Sequence, residues 1–112
     1  MKSSLVTLVM VMVGLVAYAH PPKSVGLSYD AESGALSIDA AHSVKDVASH
    51  YVDQVEILLN GEQKELLKAE KQGDSDHAIF TYEIGSLQAG DVVEVVAHCN
   101  KVGKRSAKLV IE

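Results

Sequence analysis

Residues 51–70 read Y-V-D-Q-V-E-I-L-L-N-G-E-Q-K-E-L-L-K-A-E, and the reading of this stretch decides the fold. In its first half Val55, Ile57 and Leu59 share one parity, the period of a strand with one face buried. Its second half, Glu62 to Glu70, is rich in residues that favour helix by propensity alone. Between the halves stands Asn60-Gly61, a pair suited to the two positive-φ positions of a type I′ hairpin turn. A hairpin turn leads straight into a paired strand, so residues 62–70 are expected to run back across residues 51–59 in the extended state.

The same period recurs on both sides. Val25, Leu27 and Tyr29 alternate with Gly26 and Ser28, then Asp30 to Gly34 supply turn residues, then Leu36, Ile38 and Ala40 alternate with Ser37 and Asp39. Residues 41–49 have no clean period and read as a loop, as does the polar stretch from Gln72 to His77. Ala78, Phe80, Tyr82 and Ile84 alternate again, and Ala89-Gly90-Asp91 reads as a turn. Val93, Val95, Ala97 and Cys99 then share one face of a strand, with His98 on the other. A basic tip over 101–105 precedes a last strand over 106–111. About seven short strands with turns between them predict an all-β chain, an antiparallel β-sandwich of immunoglobulin type.

The N-terminus reads differently. Met1-Lys2 is a short basic start, residues 5–17 are almost wholly apolar, and Ala17-Tyr18-Ala19 fits the small-x-small pattern of a signal-peptidase site. The apolar run is too short for a membrane span, so residues 1–19 are expected to be a secretory signal peptide. An uncleaved N-terminal anchor is the alternative. Cleavage after Ala19 would leave residues 20–112 as one domain beginning at His20, periplasmic or secreted, with no stable membrane insertion. The full chain has 10 Lys and Arg against 15 Asp and Glu. Loss of the signal removes only Lys2, leaving nine against fifteen, a net charge of −6 with neutral histidines. An acidic domain with no Trp and one Phe is unsuited to nucleic acid or anionic membranes.

Four residues carry candidate chemistry. His42 and His50 bracket the loop before the central hairpin, and two imidazoles on one loop can reach a common transition ion. Cys99 is the single cysteine of an exported chain, where cysteines usually pair. It is therefore a buried small hydrophobe, an intermolecular partner or a metal thiolate. If the strand end at Cys99 lies beside His50, two imidazoles and a thiolate suit iron, copper or zinc rather than magnesium or calcium. His20, as a mature N-terminus, would offer amine and imidazole together, a chelate suited to copper. His98 faces away from Cys99, and His77 sits among Asp74 and Asp76, so both read as solvated.

The order H-S-V-K-D-V-A-S-H-Y-V-D-Q-V-E-I at 42–57, a hydrophobic meander, and G-D-V-V-E-V-V-A-H-C-N-K-V-G at 90–103 resembles the iron-binding domain of the desulfoferrodoxin and superoxide reductase family. The resemblance covers residues 36–112. It implies a seven-stranded immunoglobulin-like sandwich with a mononuclear iron held by four equatorial histidines and one axial cysteine. His42 and His50 match two of those histidines and Cys99 matches the thiolate. Val102 falls where the family has its last histidine, and the family's Glu-Lys-His segment is absent. That leaves two equatorial positions unassigned, one of which His20 is placed to fill. The implied activity is one-electron reduction of superoxide, with a small-molecule substrate or a redox partner. Two readings of other classes stand beside it: a copper carrier or sensor using His20, and a metal-free immunoglobulin-like interaction domain. Oligomeric state is not legible.

Overall fold

The computed structural model describes residues 20–112; the expected signal peptide, residues 1–19, lies outside the described residues. Seven strands follow one another: β1 (Ser24–Asp30), β2 (Ala35–Ala41), β3 (Val52–Leu59), β4 (Glu62–Lys68), β5 (His77–Glu83), β6 (Val92–Cys99) and β7 (Lys104–Val110). They form two antiparallel sheets, β1-β2-β5 and β4-β3-β6-β7. This is the expected immunoglobulin-like sandwich. Among the described residues no helix is long and apolar enough to cross a membrane.

The core follows from the alternation. Leu36, Ile38 and Ala40 on β2 pack against Val55 and Ile57 on β3 and Val93, Val95 and Ala97 on β6. Each fully buried Val, Leu or Ile of this kind contributes about 1.5–3 kcal/mol. The central hairpin forms as read: Asn60 has φ 52° and Gly61 φ 85°, and Leu59 pairs with Glu62. Residues 62–68 are strand despite their helical propensity, because β3 offers a ladder of partners and Leu67 packs on the core. As an edge strand, β4 carries Glu62, Lys64 and Glu65, charges that discourage pairing with another chain.

Two details depart from simple alternation. Val52 and Val55 are both buried although three residues apart. A β-bulge explains this: against β6, Val52 pairs with Cys99 and Gln54 with His98, so Asp53 is the extra residue. The bulge turns the chain just after His50. The last strand also begins two residues earlier than its periodicity suggested, at Lys104, and His77 opens β5 rather than closing the preceding loop.

Candidate metal centre

The site is built at one end of the sandwich, from chain segments that flank strands rather than from the strands themselves. His20 precedes β1, His42 directly follows β2, and His50 lies two residues before β3. The segment carrying His20 is held down from several sides. Lys23 N–H donates to the Ala41 carbonyl at 2.7 Å, and Arg105 Nε donates to the Pro22 carbonyl at 3.1 Å. Pro21 packs against Gly103, whose missing side chain makes room for it: a Cβ there would lie 3.0 Å from Pro21 Cβ.

His50 is clamped by one residue. Asn100 accepts from Tyr51 N–H at its Oδ1 (2.9 Å), donates from Nδ2 to the Ser49 carbonyl (3.0 Å), and donates its own N–H to the Tyr51 carbonyl (3.0 Å). The two strand-end segments expected to meet, around His50 and around Cys99, are thus stitched together by the residue next to Cys99.

These constraints bring the three imidazoles into one cluster. Ring centres are 5.0 Å apart for His20 and His42, 5.1 Å for His20 and His50, and 4.7 Å for His42 and His50. One ligand atom from each lies within 4.8 Å of those of the other two. Three imidazoles bound to one ion through nitrogen at about 2.0–2.1 Å would have ring centres roughly 4.5–5.2 Å apart, for ligand angles between octahedral and tetrahedral. The observed spacing is that of a ligand set. The rings are also held by their neighbours: His20 Nδ1 lies 3.0 Å from the Pro21 carbonyl and its Nε2 3.0 Å from the Ser43 carbonyl, and His42 bonds to Gln72.

One of the three rings presents an unpaired atom. His50 Nε2 is buried and has no hydrogen-bond partner among the described residues. Burial, with the neighbouring His42 and His20 and then Lys101, pushes the His50 imidazole below its usual range, against a smaller upward pull from the His20 backbone. A depressed value keeps the ring neutral, the form that binds metal. The donor set fits a first-row transition ion, for which imidazole is a preferred ligand.

Cys99 is buried and free, on β6 opposite Val52, and Lys101 N–H points at its Sγ at 3.4 Å. It adjoins the His50 segment but stands outside the 4.8 Å group of three imidazoles. Val102, at the family's last histidine position, is 42% exposed and offers no donor atom. His98 lies on the opposite face of β6 from Cys99, as expected from parity. His77 is exposed and paired with Asp39 at 2.7 Å, a hydrogen bond that raises its pKa.

An open cleft of about 490 Å³ leads to the cluster, lined by His20, Ser43, Val44, Lys45, Asp46 and His50 among others. It admits a small molecule to the imidazoles from solvent.

One residue of the site escaped the sequence reading. Gln72, in the loop between β4 and β5, is 2% exposed and bonded to His42. Nothing in its local sequence marks it, since its partners come from residues 42, 52 and 74.

No protein-family model and no curated protein sequence matches the chain. Solved structures do. Superoxide reductase (neelaredoxin) from Ignicoccus hospitalis superposes with a TM-score of 0.55 at 14% identity, over 87% of this chain and 84% of that one. A second structure of that protein gives 0.50 at 18% identity, over 83% and 80%. A hypothetical protein from Pyrococcus horikoshii OT3 gives 0.51 at 10% identity, over 88% and 99%. Identities this low speak to architecture alone: the chain has the β-sandwich fold of these superoxide reductase structures.

Proposed function

We propose that the chain is an exported, metal-binding redox protein of superoxide reductase type. It holds one iron with His20, His42 and His50, and with the Cys99 thiolate as a further donor. The observation that carries this reading is the convergence of three imidazoles at ligand spacing beneath an open cleft. Bound there, a ferrous ion would supply one electron to superoxide. The chain's own residues have separable tasks. The three imidazoles bind the ion. Lys101 N–H, directed at Cys99 Sγ at 3.4 Å, orients the sulfur. Lys45 lines the cleft beside Asp46, so the approach is less acidic than the domain as a whole. A redox partner returns the electron.

A copper carrier is the second reading. It is favoured by the imidazole-only group and by His20, whose free amine after signal cleavage would add a donor. The two readings separate by metal analysis and absorption of protein purified anaerobically after export. Iron near one per chain, with a visible thiolate-to-iron band that disappears on reduction and in Cys99→Ser, supports the first. Copper at that ratio moves the assignment to the second. No metal in wild type after reconstitution overturns both, leaving the metal-free interaction domain.

A further inference from the structure

Gln72 is almost fully buried in the loop between β4 and β5, and its carboxamide is oriented by three backbone groups. Its Oε1 accepts from Val52 N–H at 3.1 Å, while its Nε2 donates to the His42 carbonyl at 3.1 Å and to the Asp74 carbonyl at 3.1 Å. An amide flip would set an NH2 group against the Val52 N–H and an oxygen against two carbonyls. The orientation is therefore fixed by the backbone alone, without reference to His42. In that orientation Oε1, which can only accept, faces His42 Nδ1. His42 must then carry its proton on Nδ1. In the neutral ring its Nε2 is then left with a lone pair on the side of His20 and His50, 3.2 Å from the His20 carbonyl oxygen. In a neutral ring this sets two acceptors against each other, which either a cation held by the cluster or a second proton on the ring would relieve.

We infer that Gln72 is a positioning residue of the metal centre: by locking the Nδ1–H tautomer of His42, it makes Nε2 the ligand atom and sets metal affinity. The metal half of this inference rests on the proposed function, whereas the tautomer half does not. Partners of this kind, behind a ligating imidazole, typically govern a 10–100-fold range of metal affinity. Gln72 also ties the β4–β5 loop to the site. That loop carries no ligand but bonds to both ends of the His42–Val52 segment.

The experiment uses the protein expressed as the full chain and processed by the cell, stripped of metal, at pH 8. Nitrogen-15 NMR of its imidazoles reports the His42 tautomer, and anaerobic titration with cobalt(II) alone reports affinity. The expected result is a proton on Nδ1 of His42 in wild type. In Gln72→Met, which keeps length but removes the acceptor, the tautomers should mix and the cobalt Kd should rise 10–100-fold. Gln72→Glu, which keeps the acceptor, should retain the Nδ1–H tautomer and a Kd far closer to wild type. If Gln72→Met does not fold, the glutamate variant alone decides: a proton moved to Nε2 of His42 overturns the inference. Wild-type His42 protonated on Nε2, or on both nitrogens, overturns it as well. So does a folded Gln72→Met protein with unchanged cobalt affinity, which would reduce Gln72 to a structural role. Wild type with the Nδ1–H tautomer but no cobalt binding overturns the metal reading and upholds the tautomer assignment.

Discussion

At the scale of single residues, the site depends on groups that bind nothing. Gly103 shows why. Its φ is +78°, a conformation that costs a residue with a Cβ about 1–2 kcal/mol. Its carbonyl accepts from Cys99 N–H at 3.0 Å, so the turn it makes also fixes the backbone at the thiol. A Cβ there would press on Pro21, the neighbour of His20. Gly103→Ala is therefore expected to lower stability by roughly 1–2 kcal/mol and also to weaken metal binding, because the displaced proline carries His20 with it. Urea denaturation and metal titration of the same variant check this. A stability loss with unchanged affinity would mean that His20 is positioned independently of Gly103. Asn100 acts in the same indirect way on His50, holding the backbone on both sides of it without touching the ring.

At the scale of elements, the β2–β5 ladder carries a pH-dependent pair. His77 and Asp39 lie on adjacent strands near the end that bears His42, and Asp39 raises the His77 pKa above its usual 6.5 through a hydrogen bond and its charge. A raised folded-state value means that folding favours the protonated ring. The pair's contribution is fully present below the unfolded pKa and is lost as pH rises through the folded one. Both side chains are about half exposed, so the effect on stability is small. Proton NMR titration should place the His77 midpoint above 6.5 in wild type and nearer 6.5 in Asp39→Asn. An unchanged midpoint would show that the pair does not persist in solution. The elements themselves were largely legible in the sequence, since alternation over β1, β2, β3, β5 and β6 is a local signal and Asn60-Gly61 settles β4 against its own propensity. The bulge at Asp53 was not, because pairing against β6 creates it and nothing in residues 52–55 announces it. Of the candidate site, His20, His42, His50 and Cys99 were visible as residue types beside or at the ends of strands. Gln72 was not, because its role exists only where three distant backbone groups and one imidazole meet.

At the scale of the whole molecule, the cluster lies where the two sheets come together at one end of the sandwich. His20 and His42 flank strands of the three-stranded sheet, and His50 leads into the four-stranded one. An ion bound to all three would cross-link the layers as well as fill a site. The domain is small, so its hydrophobic core leaves a modest margin of stability. A ligand that binds only the folded state adds RT ln(1 + [L]/Kd), about 2.7 kcal/mol at a hundredfold excess over Kd. For a domain of this size each kcal/mol moves the melting temperature by roughly 4–8 °C, so metal removal should lower it by roughly 10–20 °C. Because the core of a single small sandwich unfolds as one unit and an ion held by all three imidazoles would join both sheets, the transition should stay single with and without metal, rather than splitting into an early loss of one end. Calorimetry of the loaded protein, and of the same sample after chelation and gel filtration, checks both points. A melting temperature indifferent to chelation would mean that the three imidazoles converge without holding an ion. A split transition would mean that the ion stabilises only the loops that carry its ligands, and that the sandwich beneath them stands on its core.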